Sequence, residues 1–315
     1  MTWADSRRIN ARLRIKSVNF FIIIGIWATA GWLPANRGLA AASLTLSLGA
    51  ITIGLLSSTF HLGHPERAWR AFSQWRSSWL SREGVSSVAT YAPALLFALG
   101  WLVIGSTSGI WALFGALSAV GAVATVVCTA FIYQSLKPIQ RWSNGWVLPN
   151  YLALSAMTGV LWLIAAMSLF EMSDGFLVFA ALLCIPLAAF LKVRYWRFID
   201  RSASRSDAGT ATGLGALGRV RLFEAPHTSE NYLMKEMGFR IARKHAAKLR
   251  IIALVAAFFL PQLLTLAGLL IPVALLPLCA IAAAVIATIG VLVERWLFFA
   301  EAKHTVTLYY GAERA

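Results

Sequence analysis

The stretch GIWALFGALSAVGAVATVVCTAFIYQS, residues 109–135, contains 27 residues and no charged side chain. A hydrocarbon layer about 30 Å thick is crossed by about 20 apolar residues in helical form. This stretch therefore predicts one membrane-spanning helix, and seven further runs have the same character. Together the eight predicted spans are 17–34, 39–60, 84–106, 109–135, 149–170, 175–191, 250–271 and 274–299.

The composition supports an all-α, polytopic membrane helix bundle in a single integral membrane domain, residues 1–315. The chain is 59% apolar and 13% charged, whereas soluble domains are about 45–50% apolar and about 25% charged. The net charge of +15 does not indicate nucleic-acid binding, because so few residues are charged. The three cysteines lie far apart in apolar runs, which favours buried thiols over disulfides or a metal cluster.

The distribution of cations predicts the topology. Of the 28 Lys and Arg residues, 27 lie in the two terminal segments and in the connections after even-numbered spans, and only Arg37 lies after an odd-numbered span. Cytoplasmic retention of Lys and Arg produces this alternation. The sequence therefore predicts eight spans with both termini cytoplasmic, in a bacterial inner membrane.

One connection, residues 192–250, is long, and we expect it to form a cytoplasmic loop. It begins with a basic-aromatic cluster, Lys192 to Arg197, of the kind that anchors a helix end at lipid headgroups. A Ser/Gly/Ala stretch over 202–218 predicts a flexible tether. Residues 230–249 predict a basic amphipathic helix that lies on anionic lipid or docks a protein partner. The docking candidates on it are Arg240, Arg243 and Lys244.

Ionisable residues gather where predicted spans two and three meet the cytoplasmic face. His61 closes span two and Glu83 precedes span three, and consecutive spans are usually neighbours. The connection between them contributes Arg67, Trp79 and Arg82. An imidazole, a carboxylate, arginines and aromatic rings suit a site where an apolar redox carrier exchanges protons.

Structural explanations compete with that interpretation. Ser81 is a good helix N-cap, and Glu83 in the first turn would complement the helix dipole. The same dipole favours His61 at a helix C-terminus. The arginines and tryptophans suit interfacial anchors. Glu294 and Arg295, near the end of span eight, suit a local ion pair.

The histidine positions argue against haem. None of the five histidines lies at mid-membrane, and only His61 and His304 would form a pair at the inner edge. Bis-histidine haem needs ligands on facing helices. We therefore expect a haem-free protein with no metal site.

Two motifs carry a family resemblance. The run His61-Leu62-Gly63 and the run Leu80-Ser81-Arg82-Glu83 resemble the membrane-anchor subunit of the dimethyl sulfoxide reductase family. The similarity extends over residues 133–149, 221–250 and 295–310, and so covers most of the chain.

This resemblance implies a haem-free, non-catalytic subunit with eight spans. Such a subunit anchors a molybdopterin catalytic subunit and an iron–sulfur subunit, which carry the cofactors, and exchanges electrons with the quinone pool. In the family, the positions that match His61 and Glu83 are implicated in quinol binding. Arg67, Trp79 and Arg82 complete the expected quinone site.

Two alternatives stay open. The basic N-terminal segment and the loop 192–250 place the partners on the cytoplasmic side, which also resembles the cytoplasm-facing, sulfite-oxidising relatives that pass electrons from substrate to quinone. A secondary transporter without redox partners is the alternative from another class. It would be expected to carry broken helices, mid-membrane polar pairs or an internal repeat, and no repeat is visible here.

Overall fold

The computed structural model describes residues 20–60, 64–172, 174–202, 206–221, 223–224 and 240–310. Within these ranges the ordered elements are helical, and no β-strand is present. This agrees with the all-α prediction. In a membrane, a helix satisfies every backbone hydrogen bond within its own segment, so an apolar chain of this kind has few other choices.

The helices are numbered along the chain. The first five are α1 (Phe20–Thr29), α2 (Arg37–Phe60), α3 (Trp79–Ala98), α4 (Ile110–Gln134) and α5 (Val147–Ser168). The next six are α6 (Gly175–Arg201), the short α7 (Ala208–Thr212) and α8 (Arg240–Lys244), α9 (Ala246–Leu254), α10 (Leu260–Ala267) and α11 (Leu276–Ala300). Two π-helical segments, Leu99–Ile104 and Val255–Phe259, extend α3 and join α9 to α10. Short 3₁₀ helices cover Pro65–Gln74, Gly215–Leu217, Val273–Leu275 and Thr305–Tyr310.

Seven of these helical stretches are long and apolar enough to cross a membrane, and they correspond to predicted spans two to eight. Predicted span one is represented by the ten-residue α1, and residues 17–19 lie outside the described ranges. Helix α1 packs closely on α4, since a Cβ on Gly25 would overlap the backbone of Gly115. Small residues at helix contacts permit such an approach within a membrane.

The sixth span differs from its prediction. The apolar run ends at Lys192, but α6 continues to Arg201 and has 27 residues. Lys192, Tyr195 and Trp196 are all buried, so the prediction that this cluster anchors the helix end at lipid headgroups is wrong for these three residues. The physical reason is an ion pair between Lys192 and Glu294 of α11, which allows the helix to carry a charge into the bundle.

The helix ends near the cation-rich connections come together, and we call this end of the bundle the cationic end. Here Trp79 of α3 stacks on Phe131 of α4, with ring centroids 4.6 Å apart. The two terminal guanidinium nitrogens of Arg250 in α9 donate hydrogen bonds to the carboxylate oxygens of Asp200 in α6, at 2.6 and 2.9 Å. These contacts join the ends of two pairs of helices, α3 with α4 and α6 with α9.

Helix α5 forms the centre of the bundle, with 16 of its 22 residues buried. Helix α11 approaches the π-helical segment Val255–Phe259 so closely that a Cβ on Gly290 would overlap the backbone of Ala257. Helix α5 and the contact between α11 and this segment are therefore tightly packed.

Candidate functional site: a buried carboxylate at the cationic end

The start of α3 is held by the preceding 3₁₀ helix, Pro65–Gln74. Ser78 is the N-cap, and its hydroxyl accepts a hydrogen bond from the backbone N–H of Ser81 at 3.4 Å. The hydroxyl of Ser81 donates instead to the carbonyl of Ala71 in the 3₁₀ helix. The prediction that Ser81 is the N-cap is therefore wrong, because the helix begins one turn earlier than the apolar run.

Glu83 points into the bundle from the fifth residue of α3. Its side chain is buried, with 2% of the residue exposed. The hydroxyl of Thr129 on α4 donates a hydrogen bond of 2.7 Å to Glu83 Oε1. Because α3 begins at Trp79, Glu83 lies beyond the first turn. The helix dipole therefore does not explain a carboxylate at this depth.

Arg82 and Trp79 form the rim beside this carboxylate. The Arg82 guanidinium lies 4.2 Å from the centre of the Trp79 ring. Its Nε donates to the carbonyl of Trp75 at 2.9 Å, and Nη2 donates to the carbonyl of Arg76 at 2.6 Å. Arg82 thus fixes the end of the connection between α2 and α3 against the helix.

The other predicted residues of the site are placed differently. Arg67 lies in the 3₁₀ helix with 57% of its side chain exposed, and its Nε is 3.7 Å from Glu66. His61 lies outside the described residues. The structure therefore brings Trp79, Arg82 and Glu83 together and leaves Arg67 at the surface. Within the described ranges, no three His, Cys, Asp or Glu side chains group as metal ligands.

Thr129 and a neighbouring cleft were not identified from the sequence. The cleft, which we call the α2–α4 cleft, lies one helical turn from Glu83 towards the middle of the bundle. A sequence signal for it exists, because Thr125 and Thr129 fall four residues apart on one face of an otherwise apolar helix. The lining residues are Phe21, Leu48, Ile51, Ser87, Thr90, Tyr91, Ala94, Ala122 and Thr125.

The docking candidates lie in α8, close to the end of α11. Arg243 Nε donates to the carbonyl of Ala300 at 2.9 Å, and Nη2 donates to the carbonyl of Ala302 at 3.0 Å. Burial, and secondarily the charge of Arg141, lower the pKa of Arg243 from its ordinary value. Lys244 is exposed. Of the predicted amphipathic helix over 230–249, residues 230–239 lie outside the described ranges.

A second buried carboxylate lies at the same end of the bundle. Glu294 of α11 is fully buried and pairs with both Lys192 and Arg295. Arg295 Nη2 donates to Glu294 Oε1 at 2.8 Å, so the predicted ion pair between these neighbours is confirmed. Lys192, 102 positions away along the chain, is the partner that sequence reasoning missed.

Aromatic rings enclose this ionic cluster. The Lys192 ammonium lies 4.2 Å from the centre of the Tyr195 ring, and the Arg295 guanidinium lies 4.4 Å from the centre of the Tyr151 ring. Cations over aromatic faces are stabilised by the ring quadrupole. The cluster therefore joins α5, α6 and α11 through one carboxylate, the two cations that pair with it and the aromatic rings around them.

Comparison with known proteins identifies the family. A family model described as "DMSO reductase anchor subunit (DmsC)" matches residues 13–312. A sulfite dehydrogenase subunit of Allochromatium vinosum is 33% identical over 304 residues, which cover 90% of this chain and 90% of that protein. No solved structure matches the chain. The chain belongs to the DMSO reductase anchor subunit family.

Proposed function

We propose that this protein anchors a molybdopterin catalytic subunit and an iron–sulfur subunit to the membrane and exchanges electrons between the iron–sulfur subunit and quinone. Family membership over nearly the whole chain supports the anchoring role. It also argues against the secondary transporter considered above. The cofactors belong to the partners, and quinone is an exchangeable substrate of this chain.

The observation that carries the quinone site is the burial of Glu83 beside an apolar cleft. Reduction of a quinone takes up two electrons and two protons, and oxidation of a quinol releases them. A buried carboxylate that accepts a hydroxyl hydrogen bond beside such a cleft is suited to accept and return a proton. In this proposal His61 is the second proton-transfer group, Trp79 and Arg82 border the quinone ring, and Arg67 lies at the entrance.

The relative favours a sulfite-oxidising complex over a sulfoxide-reducing one. It is described as a sulfite dehydrogenase subunit and matches 90% of this chain. Electrons would then pass from sulfite, through the partner subunits, to quinone. The purified complex should reduce quinone with sulfite; oxidation of quinol by dimethyl sulfoxide, without any sulfite activity, would instead assign the reductase type.

We further propose eight spans in a bacterial inner membrane with both termini, and the partners, on the cytoplasmic side. Arg240, Arg243 and Lys244 then belong to the docking surface of the iron–sulfur subunit. The test uses single cysteines at two exposed positions, Ser108 and Thr210, in a chain whose own cysteines are replaced by alanine. An impermeant reagent added to whole cells should label the Ser108→Cys protein and spare the Thr210→Cys protein. The reverse labelling would overturn the orientation.

The site is tested with Glu83→Gln in the whole complex. Removal of a general acid–base group costs about a hundredfold in rate, so quinone-dependent turnover should fall by about that factor. Turnover with a soluble artificial acceptor, which takes electrons from the partner subunits, should stay unchanged. Glu171→Gln, an exposed carboxylate at the opposite end of the bundle, is the matched control. Normal quinone turnover in Glu83→Gln would refute the assignment.

A further inference from the structure

We propose that the α2–α4 cleft binds the prenyl chain of the quinone, so that the tail lies within the protein rather than in bulk lipid. This inference rests on the proposed quinone site at Glu83 and adds to it a subsite for the apolar part of the substrate. It is carried by the position of the cleft, by the chemistry of its wall and by the helices that form it.

The cleft begins one helical turn from the Glu83 carboxylate. Ser87, which lines it, comes one turn after Glu83 on α3. Thr125, which also lines it, comes one turn before Thr129 on the antiparallel α4. Both steps lead away from the cationic end, by about 5.4 Å for each turn. A ring bound beside Glu83 would therefore have its substituents within about one helical turn of the cleft.

The wall of the cleft is apolar even where it carries hydroxyl groups. Ser87, Thr90 and Thr125 each donate to the backbone carbonyl one turn earlier in their own helix, at 2.7 to 3.0 Å. The hydroxyl of Tyr91 is paired with the hydroxyl of Thr52 at 2.8 Å. Because these hydroxyl groups already have partners, the cleft offers little to a polar ligand and much to a hydrocarbon.

Four helices contribute to the cleft, and the remaining lining side chains are hydrocarbon. Phe21 comes from α1, Leu48 and Ile51 from α2, and Ala94 and Ala122 from α3 and α4. Two alanines in this position leave a narrow space between larger side chains. A prenyl chain is the apolar part of a quinone and is attached directly to the ring, so a narrow apolar space one turn from Glu83 is placed to receive the first part of that chain.

The first experiment narrows the cleft with Ala94→Leu in the whole complex. Quinone turnover is measured with a prenylated quinone and with a tailless quinone of the same ring. The leucine side chain should occupy the space of about two methylene groups of the tail, and losing their burial should raise the KM for the prenylated quinone about tenfold. The KM for the tailless quinone should stay unchanged. Ala89→Leu, exposed on the same helix, is the matched control and should change neither value.

The outcomes separate the two proposals. Equal effects of Ala94→Leu on both quinones, or no effect on either, would overturn the tail subsite while the ring site at Glu83 stands. Failure of the wild-type complex to react with either quinone would refute the proposed function itself, and the subsite with it.

A second measurement does not depend on Ala94→Leu folding correctly. A quinone that carries a photoreactive group on its first isoprene unit should label peptides of α2, α3 or α4 that line the cleft in the wild-type complex. Excess prenylated quinone should abolish this labelling, and Ile51→Ala, which widens the cleft, should retain it. Labelling outside the cleft, or labelling that excess quinone does not compete away, would overturn the proposal.

Discussion

Glu83 and Glu294 are both buried carboxylates at the cationic end of the bundle, but their surroundings differ. Glu294 is held by Lys192 and Arg295 inside a shell of aromatic rings. Glu83 accepts a hydrogen bond from the hydroxyl of Thr129 and lies one helical turn from a cleft. A carboxylate fixed by two cations binds helices together, whereas one that lies a helical turn from an apolar cleft is the better candidate for a substrate site.

The helices that surround the two carboxylates can also be compared by how much of their surface is buried. Helices α5, α6 and α11 pack around the ionic cluster, and 16 of the 22 residues of α5 are buried. Helices α2, α3 and α4 surround the cleft, and 28 to 39% of the most apolar stretch of each is buried, compared with 72% for α5. Helices α6 and α11 are buried to the same extent as the cleft helices, so the difference lies in α5 and in the ionic cluster. We infer that α5 and the ionic cluster form the scaffold and that α2, α3 and α4 bind the substrate.

The largest effect is expected for Glu294→Gln. This change leaves Lys192 and Arg295 buried without a counter-charge, which costs about 3–5 kcal/mol. The amount of folded protein in the membrane and its midpoint of thermal unfolding should both fall sharply. In the same assay Glu83→Gln and Glu171→Gln should stay close to the wild type. Equal stability of all three variants would remove the distinction between the two carboxylates.

A combined variant sharpens the same comparison. Replacing the whole cluster with apolar residues of similar size, Lys192→Met with Glu294→Leu and Arg295→Met, removes every buried charge of the cluster at once. Such replacements are often neutral or stabilising, so most of the stability lost in Glu294→Gln should return. Thermal unfolding of the purified complex measures this, with quinone turnover as a second readout. A combined variant less stable than Glu294→Gln would show that the cluster has a role beyond charge neutralisation.

A smaller effect is expected for Thr129→Val. The change removes the hydroxyl that donates to Glu83 while preserving the volume of the side chain, and one such hydrogen bond contributes about 1 kcal/mol. Quinone turnover should therefore fall about fivefold, with stability nearly unchanged. Thr265→Val is the control, since that hydroxyl donates to the carbonyl of Pro261 on α10. A larger loss of turnover in the control would contradict the role of Thr129.

The smallest effect is expected for Arg82→Lys. An ammonium group preserves the charge but does not reproduce the guanidinium that spans the carbonyls of Trp75 and Arg76. The KM for quinone should rise about twofold to threefold, the lower end of the range for one lost hydrogen bond, because the ammonium keeps the charge. Arg70→Lys, exposed in the 3₁₀ helix, should not change it. An unchanged KM in Arg82→Lys would place Arg82 outside the quinone site.

Sequence reasoning selected Glu83, Trp79 and Arg82 as candidates, which the structure places at the same helix end, but it misjudged the local structure. The apolar run places the start of span three at residue 84, and the helix starts at Trp79 because Ser78 caps it. Likewise, Lys192 marks the end of an apolar run and yet lies inside α6. A hydropathy pattern shows where a charged residue lies but not whether the fold pairs that residue with an opposite charge. A span predicted from hydropathy therefore ends at a charged residue even where the helix continues past it.

The sequence by itself determined the helical class, the family and seven of its eight predicted spans, and it singled out Glu83 as a candidate site residue. These follow from the length of apolar runs and from short motifs, which are local properties of the chain. Only the tertiary structure decided that Lys192 pairs with Glu294, that Thr129 holds Glu83 and that a cleft opens one turn away. The two pairings join residues 46 or more positions apart along the chain, and helix packing, rather than any local pattern, determines which of them meet.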